Sequence, residues 1–129
     1  MSLSDWYVLI VEDELDSMEL VQGIFDHHGI RYVGAATGEE ALNILETVHP
    51  SLLLLDLALP GINGWNLLEQ IKHDQNLITV PRVAITAYHS PEVANKAIEQ
   101  GFDAYFAKPL DAVSFVHVLE TIVAEGHLN

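Results

Sequence analysis

Five polar residues in this chain stand where chemistry could be done, each directly behind a short apolar run. Glu12 and Asp13 follow 7–11, Asp56 follows 51–55, Thr86 follows 80–85, and Lys108 follows 102–107. Taken singly, an aspartate after a strand is commonly a helix cap, and a lysine is commonly a solvated surface group. Together they are three carboxylates, one hydroxyl and one ammonium. Two carboxylates about 4 Å apart repel by roughly 4 kcal/mol at an effective dielectric near 20. Three of them need a cation, or one must stay protonated, and Lys108 brings a single positive charge. Mg²⁺ suits such a set because it prefers oxygen ligands, takes few carboxylates and keeps waters for phosphate oxygens; Mn²⁺ suits the same donors. Beside such an ion Asp56 can attack phosphorus to give an acyl phosphate. Phosphoryl transfer asks chiefly for positioning and for neutralisation of the equatorial oxygens. The metal, Lys108 and the Thr86 hydroxyl could hold one oxygen each.

That chemistry requires the five residues to share one edge of a fold, and the chain pattern supplies such an edge. Strand-like runs alternate with segments of helical period about every twenty residues. Leu15, Met18, Val21, Ile24 and Phe25 mark a helix that stops at His28-Gly29. Thr37-Gly38-Glu39-Glu40 has the form of a capping box, opening a helix with Ala41, Leu42, Leu45 and Val48 inward until His49-Pro50. Strands are expected at 7–11, 30–35, 51–55, 80–85 and 102–107, the third too uniformly apolar to have a wet face. Leu67, Leu68 and Ile71 mark a third helix; Val93, Ala94, Ala97 and Ile98 mark a fourth between Pro91 and Gly101. A last helix is capped by Asp111 and carries Val113, Val116, Leu119, Ile122 and Val123. Five strands alternating with five helices predict an α/β fold: a (βα)₅ doubly wound, five-stranded parallel sheet with helices on both faces and flavodoxin-like strand order 2-1-3-4-5. In such sheets ligands bind beyond the carboxyl ends of the strands. All five polar residues fall there.

Composition narrows the alternatives. The 129 residues suit one domain, half of them are apolar, and mean hydropathy is +0.23. Cysteine is absent, which removes disulfides and thiolate metal sites. Nineteen acidic residues against five basic ones give a net charge of −14, so direct nucleic-acid binding is not expected. The run before Glu12 is too short for a membrane span and lacks a signal peptide's flanks, and a cytoplasmic location is expected. None of the seven histidines, His27, His28, His49, His73, His89, His117 and His127, has zinc-site spacing; His89, three residues past Thr86, is the nearest to the expected site and could tune it. Trp6 and Trp65 read as packing residues.

The chain resembles the response-regulator receiver family over nearly its whole length. The resemblance rests on Glu12-Asp13, on Asp56 with Pro60 four and Gly64 eight residues on, on Thr86-Ala87, and on Lys108-Pro109. It implies one receiver domain over 1–129 without an output domain, acting as a phospho-acceptor switch rather than as an enzyme. It implies Asp56 as the phospho-acceptor, Asp13 as a direct Mg²⁺ ligand, Glu12 acting mostly through water, and the Ala58 backbone carbonyl completing the metal shell. Lys108 would pair with Asp56 at rest and with the phosphoryl group afterwards, and Lys108-Pro109 would be the family's cis peptide, with Pro109 as the cis proline. Thr86 and Ala87 would line the phosphoryl group, and Tyr105 would be the switch aromatic, or else a packed strand residue. The switched surface would be the face of the fourth helix, fifth strand and fifth helix. Ala58 and Tyr88 occupy places that tune loss of the phosphoryl group. Ala58 cannot orient water, so a phosphorylated state longer-lived than in chemotaxis-type regulators is expected. The implied partners are a sensor histidine kinase or a histidine phosphotransfer protein, and a downstream output protein or domain. A dimer formed on phosphorylation is a further option, while no nucleic acid or membrane is expected.

Three other readings share parts of this pattern. An aspartyl-phosphate phosphatase of the haloacid-dehalogenase type needs a second aspartate where Ala58 stands. A flavodoxin-like cofactor carrier needs a Gly/Ser/Thr-rich loop where Glu12-Asp13-Glu14 stands. A pseudo-receiver that binds partners without taking phosphate would have the same fold, and the sequence leaves it open.

Overall fold

A computed structural model describes residues 2–125. Among them five strands, β1 (Tyr7–Val11), β2 (Arg31–Ala35), β3 (Leu52–Asp56), β4 (Arg82–Thr86) and β5 (Ala104–Ala107), alternate with five α-helices. These are α1 (Leu15–His28), α2 (Gly38–Leu45), α3 (Gly64–Lys72), α4 (Pro91–Gln100) and α5 (Ala112–Glu125). All strand pairs are parallel, in the order β2-β1-β3-β4-β5, as the sequence predicts. The order reverses between β1 and β3. Val11 pairs with Leu55, Asp56 with Ile85, and Thr86 with Ala107, which brings the ends of β1, β3, β4 and β5 level along one rim.

The helix signals act locally. Thr37, Asn63 and Ser90 each accept a bond from the backbone N–H three residues on, and Asp111 accepts from Val113 and Ser114. Only the Thr37 half of the expected capping box forms. Gly29 ends α1 at φ 68°, a left-handed position that glycine takes without steric cost. α2 ends at Leu45, short of the expected Val48, because the Thr47 and Val48 amides both turn back onto the Ile44 carbonyl. β4 and β5 start two residues later than expected. Val80 closes a turn on Leu77 and Pro81 has no N–H for the ladder, while the Phe102 N–H closes α4 on Ala97.

Side-chain alternation along the sheet builds two cores. Val8, Ile10, Leu52, Leu54 and Ile85 meet α1 and α5 through Phe25, Phe115 and Leu119. Leu9, Leu53, Leu55 and Ala84 meet α2, α3 and α4 through Ala41, Leu67, Leu68, Ile71 and Ala97. β3 is buried on both faces, as its composition implies. Leu54→Ala is therefore expected to cost about 2–5 kcal/mol, read as a lower urea midpoint. Three residues assigned inward by period lie outward instead: Leu15, Ile98 and Val113. Leu15 and Val113 lie on the solvent side of the first turns of α1 and α5, and α4 buries little beyond Ala97. Trp6 is buried, and Trp65 packs edge-on against Phe102. No helix of the described residues is long and apolar enough to cross a membrane.

Candidate functional site

The β1 and β3 ends carry the acids. Asp56, the last residue of β3, and Glu12, just past β1, are buried, whereas Asp13 is exposed. One carboxylate oxygen of each lies within 4.8 Å of those of the other two. Lys108, just past β5, reaches across to them. Its Nζ pairs with Glu12 and lies 3.1 Å from Asp56 Oδ2. The Ala58 N–H donates to Asp56 Oδ1 at 2.9 Å, which fixes the orientation of the carboxylate. Asp13, Asp56, Ala58, Ala87, Tyr88 and Lys108 line an open cleft of about 290 Å³, together with Glu14.

The charges are unequal. Burial, and after it the hydrogen bond with Asp56, raises the Glu12 carboxyl to about 7, against the pull of Lys108 and the Glu14 amide. Burial pulls Lys108 down, but its contacts to Glu12 and Asp56 outweigh that and hold the ammonium above its ordinary value. The site therefore has excess negative charge with a lysine already engaged. A hard divalent cation fits this donor set, because oxygen ligands at close range on one rim are what Mg²⁺ takes.

The backbone beneath Asp56 is shaped by Gly64. A Cβ there would overlap the Asp56 carbonyl oxygen and come within 2.7 Å of Leu57 Cα. Gly64→Ala is expected to cost about 1–3 kcal/mol through overpacking, and to weaken Mg²⁺ binding by displacing the Asp56 turn. Urea unfolding and a Mg²⁺ titration check the two parts separately.

The response regulator receiver domain model matches residues 8–120. This chain belongs to that family. The polar-differentiation response regulator DivK of Brucella ovis is 28% identical over 119 residues, covering 92% of this chain and 97% of DivK. A CheY-like receiver domain protein from Methanospirillum hungatei is 27% identical, with a TM-score of 0.84 over 93% of this chain and 94% of that one. The receiver domain of a sensor histidine kinase from Pseudomonas aeruginosa has the same fold, with a TM-score of 0.85 at 23% identity and coverage of 93% and 98%. It was solved with a magnesium ion coordinated in its active-site cleft.

In this receiver the other residues singled out from sequence fall into two groups, one at or beside the cleft lined by Asp56 and Lys108 and one away from it. Thr86 is buried at the end of β4, and its hydroxyl oxygen accepts from the Tyr88 N–H at 3.0 Å. Ala87 and Tyr88 line the cleft, the Tyr88 ring largely exposed. The Lys108-Pro109 peptide is cis. Tyr105 stands apart: it belongs to the α4 side of the sheet, in register with Ala84, and does not line the cleft. Its hydroxyl is closed off from solvent toward the Ser90 backbone, and burial raises its phenol pKa. Both of its expected readings remain compatible with that position.

Sequence reasoning left Glu14 out of the site, yet its carboxylate lies 3.2 Å from Lys108 Nζ. The signal was present as a third consecutive acid after the first strand. Among the described residues no histidine joins the acidic cluster; His127 lies outside them.

Proposed function

We propose that this receiver takes a phosphoryl group on Asp56, with Mg²⁺ held by Glu12, Asp13, Asp56 and the Ala58 carbonyl. The observation that carries this reading is the buried Asp56 carboxylate held between Lys108 and the acidic pair at the edge of an open cleft. An Asp56 carboxylate oxygen forms the new bond to phosphorus, and the donor's bond to its imidazole nitrogen breaks, leaving the electron pair on nitrogen. Bound Mg²⁺ would neutralise charge on the transferred group. Lys108 neutralises a second oxygen. Thr86 already accepts from Tyr88, so its hydroxyl hydrogen is left to donate to a third. The donor is a histidine kinase or phosphotransfer protein, the listener is an output protein or domain, and a cytoplasmic location goes with both. Ala58 brings no group that could orient water, so the acyl phosphate is long-lived.

Incubation with a small-molecule phosphodonor and Mg²⁺ tests the reading. Mass spectrometry should show one added phosphoryl group, absent without Mg²⁺ and removed by hydroxylamine. A chain that gains no mass at saturating Mg²⁺ is a pseudo-receiver instead.

The switch uses Thr86 and Tyr105. A group of charge near −2 on Asp56 draws the Thr86 hydroxyl inward and changes what Tyr105 packs against, altering the α4–β5–α5 face. Thr86→Ala should still take the phosphoryl group but lose most of the amide shift changes on that face. Full shift changes in Thr86→Ala would remove Thr86 from the switch.

A further inference from the structure

Lys108 has three N–H bonds to give, and at rest carboxylates surround all of them. Nζ pairs with Glu12, lies 3.1 Å from Asp56 Oδ2 and lies 3.2 Å from Glu14 Oε1. An oxygen of a phosphoryl group can reach Lys108 only if one contact opens. Asp56 is the group being modified. Glu12 is buried, and its second oxygen is tied to the Glu14 N–H at 3.1 Å. The Glu14 side chain is 61% exposed, so water can replace its partner most easily. Of the three contacts, that of Glu14 costs least to open.

A second feature of Glu14 points the same way. It occupies the N-cap of α1, where Ser, Thr, Asp or Asn satisfies the first amides, and it makes no side-chain cap bond. α2, α3 and α4 all have such bonds. At α1 the cap is missing, and the side chain reaches Lys108 across 94 residues of chain instead. Local rules of this kind are broken chiefly at functional or strained positions, and here a specific contact is gained in return.

We infer that Glu14 is a positioning residue that holds Lys108 in the resting receiver and competes with the phosphoryl group for it, slowing phosphorylation. This rests on the function proposed above. Glu14 also lines the cleft, so an anionic donor meets its charge on entry.

The test compares Glu14→Gln with Glu19→Gln, which removes the same charge farther along α1. With a small-molecule phosphodonor and Mg²⁺, Glu14→Gln should be phosphorylated about two- to fivefold faster than the parent, the range expected for one exposed ion pair. Glu19→Gln should match the parent. In the resting protein the Lys108 side-chain nitrogen resonance should move in Glu14→Gln alone. Glu14→Ser, which restores a helix cap, should be equally fast, separating the effect from fraying of α1. Equal rates for Glu14→Gln and Glu19→Gln, or an unmoved Lys108 resonance, would overturn the inference. A parent that takes no phosphoryl group would instead overturn the proposed function itself.

Discussion

Asp56→Asn is expected to gain no phosphoryl group under conditions that modify the parent fully, and to be more stable than the metal-free parent. The first part follows from chemistry, since an amide oxygen is not a nucleophile toward phosphorus at neutral pH. The second follows from crowding. Asp56 shares its corner with Glu12 and Asp13, and among the described residues only Lys108 is paired against Glu12 and Asp56. Removing one of the crowded charges should raise stability by about 1–2 kcal/mol at pH near 8, after the lost attraction to Lys108 is subtracted. Mg²⁺ reverses the order. A ligand at a hundred times its Kd stabilises the folded parent by about 2.7 kcal/mol, and the variant, short of one ligand, gains less. Urea midpoints with and without Mg²⁺ measure both. A variant less stable than the metal-free parent would show that the acids are not in conflict.

The pH dependence of the metal-free parent carries the same argument. Glu12 sits at about 7 in the fold against an ordinary value of 4.5, so between these the folded state binds more protons than the unfolded state. Stability from this group is present below 4.5 and is lost as pH rises through about 7. Asp56 is among the causes of the raised value, so Asp56→Asn should flatten that slope.

The parts of this protein legible in its sequence are those governed by period and by strand ends. Leu52, Leu53, Leu54 and Leu55 could only be a two-faced buried strand, and their position fixed Asp56 on the rim. The rim residues followed from the rule that ligands meet doubly wound sheets beyond the strand ends. What period could not settle was the edge of each helical face. Val113 has the spacing of a core residue but lies on the solvent side of α5's first turn, whereas Phe115, in that same turn and outside the expected inward set, is fully buried against Phe106 of β5. Glu14 was hidden for a different reason. Its partner lies past another strand, 94 residues along the chain, and three consecutive acids do not by themselves show that the first and the third turn toward Lys108.

Lys108→Met should reveal how much of the site's order depends on one ammonium. Nζ is the cation that pairs with both buried carboxylates, Glu12 and Asp56, and the lysine side chain is itself only 11% exposed. Methionine keeps the volume and removes the charge. Leaving buried carboxylates without their partner costs about 3–5 kcal/mol, so the metal-free variant should unfold at clearly lower urea near pH 8. Near pH 5 the loss should shrink, because Glu12, already raised to about 7 in the parent, takes a proton and one of the uncompensated charges disappears. Mg²⁺ should recover part of the loss by supplying positive charge to the same oxygens. Phosphorylation should slow without vanishing, since Asp56, the proposed nucleophile, and the carboxylates proposed to hold the metal remain. Loss of one charged contact to the transferred group is worth about a hundredfold in rate. The decisive combination is a pH-dependent, Mg²⁺-rescued loss of stability together with residual phosphorylation of Asp56. A variant as stable as the parent at both pH values would mean that Lys108 does not compensate the buried acids.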